Sequence, residues 1–116
     1  MRASGLGRFT NSEAIMKTQG IRIARVYLTE ADHQLNDIMQ YLHDHESISG
    51  ATAYRGVEGY GASGKMHDSS LVDLSFNLPI TIEFFDESNN VLMVLKHLKE
   101  NFNVSQTISW LAEQHH

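Results

Sequence analysis

Cysteine is absent from the 116 residues, which excludes a disulfide scaffold, a thiolate zinc site and a cysteine nucleophile, and which fits a reducing compartment. Basic residues are scarce. Nine Lys and Arg face fourteen Asp and Glu, for a formal net charge of -5. That balance excludes a general binder of nucleic acid or anionic membrane. A local anion site survives it, because a few aligned donors outweigh a weak global field. No apolar stretch is long enough for a secretory leader, and none nears the roughly twenty residues of a membrane span. The expectation is a soluble, cytoplasmic protein. Length and an apolar fraction of 41% suit one domain with one core, and an oligomer would hide more surface.

Residues 1–19 are rich in Gly, Ser, Thr and Asn with little periodicity, and read as a flexible arm. The domain follows over 20–112, and 113–116 read as a tail. Ile21 to Leu28 reads as a first strand. Thr29 is a fair N-cap for a helix running to about Glu46, with Leu35, Ile38, Met39 and Leu42 on one apolar stripe. A second strand runs from Ala51 to about Glu58, and Val72 to Ser75 alternates as a short return strand of a long hairpin. The one proline, Pro79, opens the strand of Ile80, Ile82 and Phe84, where its missing N–H does least damage. Asp86 and Ser88 are candidate caps for a second helix with Val91, Leu92, Leu95, Leu98 and Phe102 as its stripe. Val104 to about Leu111 is the last strand. The order β-α-β, hairpin, β-α-β predicts an α+β, ferredoxin-like split βαβ: an antiparallel sheet with two helices on one face. Tyr54, Phe85 and Trp110 would supply apolar cover on the other face, which packing of two or three such sheets would bury.

The chain is organised around Arg55-Gly56-Val57-Glu58-Gly59-Tyr60-Gly61-Ala62-Ser63-Gly64-Lys65-Met66-His67. Glycines permit positive φ and close approach of another molecule, and bare N–H groups in such a loop form a nest for an anion beside Lys65. One reading is an anionic ligand on main-chain donors. The other is a solvated hairpin loop whose glycines serve only its turns.

Ala24-Arg25-Val26-Tyr27-Leu28-Thr29-Glu30, then Gly50-Ala51-Thr52, then the Gly59-Tyr60-Gly61-Ala62-Ser63-Gly64 core carry a family likeness. With Asn77-Leu78-Pro79 and Ile80-x-Ile82-Glu83, this sequence resembles the uncharacterised PII-like domain family, relatives of the PII nitrogen-signalling proteins, over about Ile21 to Leu111. The resemblance implies a homotrimeric regulatory protein, not an enzyme, with an adenine nucleotide (ATP, ADP or AMP) in clefts between subunits. A T-loop would signal to a transporter, channel or enzyme. Carried over by motif, Gly59, Tyr60, Gly61, Ala62 and Ser63 match the loop base that touches nucleotide. Gly64, Lys65 and His67 begin the T-loop. Arg55 joins the candidate ligand-binding residues, and His67, Asp68, Ser69 and Ser70 are candidate partner contacts.

The chain departs from PII proteins where their Gly-rich, Lys-bearing loop follows the third strand. Here that position reads Phe84-Phe85-Asp86-Glu87-Ser88-Asn89-Asn90, and the basic residues near the last strand are missing too. Either less highly charged adenylates bind, or Lys65 and Arg55 take over phosphate contact, or the loop is not a nucleotide site. No tyrosine matches the one uridylylated in some PII proteins.

The alternative is a metal-responsive or scaffolding trimer like the copper-tolerance CutA proteins, which share this fold. His43 and His45 face apart on a helix, whereas His33 and Asp37 sit one turn apart. His67-Asp68-Ser69-Ser70 holds hydrolase-like residue types, but adjacent residues do not make a triad. Glu83 with Asp86 would be paired carboxylates, or Glu83 would pair with Arg25 or Arg55.

Overall fold

The computed structural model describes residues 17–45, 48–60, 67–68, 78–104 and 106–116, with the backbone alone at 67 and 68. Residues 1–16 of the expected 1–19 arm, loop residues Gly61 to Met66, Ser69 and Ser70, and the return strand near Val72 to Ser75 lie outside these residues.

Strand β1 (Thr18–Thr29) leads through a 3-10 turn (Glu30–Asp32) into helix α1 (Leu35–Asp44). Strand β2 (Gly50–Arg55) follows, then two short strands, β3 (Glu58–Gly59) and β4 (His67–Asp68). Strand β5 (Pro79–Asp86), helix α2 (Ser88–Asn101) and strand β6 (Gln106–His115) complete the chain. The main sheet has the order β2-β5-β1-β6, with every neighbouring pair antiparallel. Each β-α-β unit therefore straddles a strand of the other, which is the split arrangement the sequence predicts. Strands β3 and β4 form a separate two-stranded ladder.

Alternation along β1 and β5 turns Ala24, Val26, Leu28, Ile80, Ile82 and Phe84 toward the helices, and all six are buried. Ile38 and Leu42 of α1 and Val91, Val94, Leu95 and Leu98 of α2 close the core from above. Each fully buried large aliphatic contributes about 1.5–3 kcal/mol, so this layer contact is the main driving force for the fold. Tyr41 and His97 stack across the two helices with ring centres 4.2 Å apart.

The differences from the sequence expectation sit at element ends. The first helix does not begin at Thr29, whose side chain makes no cap bond to the backbone. His33, at φ 54° and ψ 34°, interrupts the path, and α1 starts only at Leu35. Gln34 makes a reciprocal pair with Asn103 instead: its Nε2 donates to the carbonyl of Asn103 at 2.9 Å, and the Asn103 N–H donates to its Oε1 at 2.7 Å. That pair ties the start of α1 to the link between α2 and β6. Helix α2 is capped by Glu87, whose carboxylate accepts from the N–H groups of Asn89 and Asn90. Asp86 and Ser88 are engaged elsewhere, by Ser49 and by Arg22. Leu92 is not in the core; Val94 takes that place, because the 91, 94, 95, 98 spacing keeps one face and Leu92 lies a step around the helix. Strands β1 and β6 outrun their expected ends and pair from Thr18 opposite His115 inward, so the sheet reaches into the segments read as arm and tail.

Candidate functional site

Strand β2 leaves the sheet at Gly56, three residues earlier than expected. The Gly56 N–H donates to the carbonyl of Pro79 at 2.8 Å. A Cβ at Gly56 would fall 2.8 Å from Pro79 Cγ, and one at Gly59 would fall 3.3 Å from the same atom. Neither glycine lies in the left-handed region of φ. Their reason is therefore not the left-handed backbone that the sequence suggests but close packing of the loop base on the proline ring. Gly59 then pairs with His67, and Glu58 with Asp68, which narrows the loop at its root. Tyr60 stands 71% exposed at the last described position before the loop, open to another molecule. Gly61, Ala62, Ser63, Gly64, Lys65, Ser69 and Ser70 fall outside the described residues, so the nest itself is not on view.

Among the described residues no helix packs on the sheet face away from α1 and α2, where Ile21 is buried but Tyr54, Ile108 and Trp110 keep much surface exposed. Register places Thr52, Glu83, Arg25 and Ile108 in one row across the four strands, and Gly50, Phe85, Ile23 and Trp110 in the next. Gly50 is small because the Phe85 ring lies over it: a Cβ there would come within 2.9 Å of Phe85 Cε2. Arg25 Nε donates to Glu83 Oε1 at 2.9 Å, and its guanidinium carbon lies 5.2 Å from the Trp110 ring centre. The Glu83 hydrogen bond raises the Arg25 pKa above its ordinary value. Around this fixed cation Tyr54 and Ile108 stay nearly half exposed. The sequence marks Trp110 as a packing residue but does not reveal its place beside Arg25. Strand order and register were the missing signal, since Arg25, Glu83 and Trp110 lie on three strands.

Arg55 shares the helix-side face with Ile80, at the end of the sheet. It does not approach Glu83. Its Nε and Nη2 each donate to the Glu30 carboxylate at 2.7 Å. The Arg55 hydrogen bond holds Glu30 below the usual carboxylate range, against the opposing effect of its burial. Beside the pair lies a hollow of about 220 Å³ between Thr29, His33, Asn36 and Ile80.

The paired-carboxylate reading fails on geometry. Glu83 faces the open side and is bonded to Arg25, whereas Asp86, an odd number of residues on, faces the helices. There it accepts from Ser49 Oγ at 2.6 Å and Asn90 Nδ2 at 3.0 Å. Burial pushes the Asp86 pKa up, but these hydrogen bonds outweigh it and hold the group below its ordinary value. Among the described residues no three His, Asp or Glu side chains converge in a way that would hold a metal, so His33 and Asp37 gain no third ligand there. No described helix is long and apolar enough to cross a membrane.

Known proteins resemble this chain in sequence and in fold. A UPF0166 protein of Methanocaldococcus jannaschii is 39% identical over 84 residues, covering 68% of this chain and 76% of that protein. A UPF0166 protein of Aquifex aeolicus is 29% identical over 80 residues, covering 69% and 81%. Among solved structures, CPII of Thiomonas intermedia K12 bound to ADP and bicarbonate superposes with a TM-score of 0.58 at 16% identity, over 88% of this chain and 93% of that one. A putative PII-like signaling protein of Thermus thermophilus gives the same TM-score and identity over 87% and 93%. The fold is thus PII-like. The DUF190 family model, described as "Uncharacterized ACR, COG1993", matches residues 21–113, and the chain belongs to this DUF190/UPF0166 family.

Proposed function

We propose that the protein is a PII-like regulator, a homotrimer that binds an adenine nucleotide in clefts between subunits and signals through the loop after Tyr60. The observation that carries this reading is the sheet face that the two helices leave open, together with the Gly56–Tyr60 corner into which β2 leads. Tyr54, Ile108 and Trp110 present apolar surface around the Arg25–Glu83 pair, and such a face is stable in water when another copy covers it. Solved proteins of the same fold are described as bound to ADP and AMP, which supports an adenylate as the ligand class.

In this reading Gly59 and Tyr60 form the fixed side of the cleft, and Gly61, Ala62, Ser63, Gly64 and Lys65 supply main-chain donors and a cation to phosphate. A phosphate on Arg55 would leave the Glu30 carboxylate unpaired beside it, so in this reading phosphate contact falls to Lys65 and the backbone. His67, Asp68, Ser69 and Ser70 lie where a transporter, channel or enzyme partner would read the loop. The signal is a population shift: the ligand holds one loop state more tightly than the other.

A thermal-shift panel separates this from the CutA-like metal reading, because whatever binds the native state raises its melting point. ATP, ADP or AMP raises the midpoint of the full chain, and copper or zinc does not. A shift with metal alone reverses the assignment.

A further inference from the structure

The Glu30–Arg55 pair has a property that the nucleotide reading does not use. It brings two opposite formal charges together in the lining of a hollow that Thr29, His33, Leu35, Asn36 and Ile80 also border. The pair is bidentate yet open to solvent, with Arg55 53% and Glu30 24% exposed at the side chain. Both side chains keep contact with solvent, so a guest that offers each charge a replacement partner exchanges for the pair rather than breaking it.

Charge decides what the hollow accepts. A simple anion would have to evict Glu30 from Arg55 and then sit beside an unpaired carboxylate. A simple cation would strand Arg55 in the same way. A guest carrying both an ammonium and a carboxylate leaves neither charge unpaired: its three N–H donors meet Glu30, and its carboxylate takes the planar fork of Arg55. The volume of about 220 Å³ suits a molecule of amino-acid size, and the half-buried Leu35 in its lining suits an aliphatic side chain.

We propose that this hollow is a binding site for a free aliphatic α-amino acid, which enters by parting Glu30 from Arg55. Amino-acid binding here does not depend on the adenylate reading. It is also connected to the loop, since Arg55 is the last residue of β2 and Gly56 is the hinge on Pro79.

Amide NMR of the full chain, titrated with L-alanine, L-valine and L-leucine, tests this. Saturable shifts are expected at Glu30, Asn36, Arg55 and Gly56. N-acetyl-L-leucine, which lacks the ammonium, and L-leucine methyl ester, which lacks the carboxylate, should each bind at least about tenfold more weakly, the loss expected for one charge-assisted contact. Glu30→Gln and Arg55→Gln should weaken L-leucine by a similar factor. The proposal is overturned if no amino acid moves these amides, or if either blocked leucine binds as well as leucine itself. The blocked ligands act on the unaltered protein, so the test stands even where a variant folds poorly.

Discussion

The Arg25 guanidinium lies over the Trp110 ring, 5.2 Å from its centre, and joins β1 to β6 on the sheet face that the helices leave bare. Glu83 on β5 holds the same guanidinium from the other side at 2.9 Å. The three residues are tied across three strands, with Tyr54 and Ile108 exposed on the same face, which suits a subunit contact or the wall of a shared cleft.

Trp110→Glu should dissociate the assembly. It places a negative charge on the platform and removes the largest apolar ring there, while the helix-side core is untouched. Light scattering should report a monomer for Trp110→Glu and a trimer for Trp110→Phe, with both variants still melting cooperatively. A Trp110→Glu trimer would put the interface on another surface.

Gly56→Ala should loosen the loop root. The added methyl lands 2.8 Å from Pro79 Cγ, and overpacking of this kind costs about 1–3 kcal/mol. Pro79→Ala removes the opposing ring atom, so the double variant should recover part of the loss. Denaturant unfolding of the four proteins gives the coupling energy directly. Additive losses would show that the two residues do not press on each other.

How much of this was legible beforehand depends on the range of the interaction. Alternation at Ile80, Ile82 and Phe84 and the stripe of Ile38 and Leu42 declare their faces locally, so strands, helices and the split βαβ order followed from the sequence. Helix starts did not, because Thr29 offers a good capping side chain but the backbone turns left-handed at His33. Leu92 looked like core because hydrophobicity alone does not say which of two adjacent residues faces inward. The site was less legible still. Gly56 and Gly59 read as turn or ligand glycines, and their true neighbour, Pro79, is remote in sequence. Arg55 reads as a candidate phosphate ligand, and its partner Glu30, just past the end of β1, is not visible from local sequence.

Acid should weaken the tie that Asp86 makes between β5 and the segment following α1. Its folded pKa lies below the ordinary 3.8, so its stabilising effect is complete above that value and is lost as pH falls through the folded pKa. Asp86→Asn should therefore melt below the wild type near neutral pH, and the gap should close as the pH drops past the folded value. A gap that stays constant across this range would rule out the carboxylate as its source.

The central claim is that an adenylate sits between protomers at the glycine corner. Calorimetric titration of ADP into the full chain, with molecular mass read by light scattering on the same sample, addresses it most directly. The account predicts a trimer that takes up one ADP per protomer, with binding lost in both Gly61→Val and the monomeric Trp110→Glu variant. A monomeric wild-type protein, or a trimer that gives no heat with ADP, ATP or AMP, would contradict it.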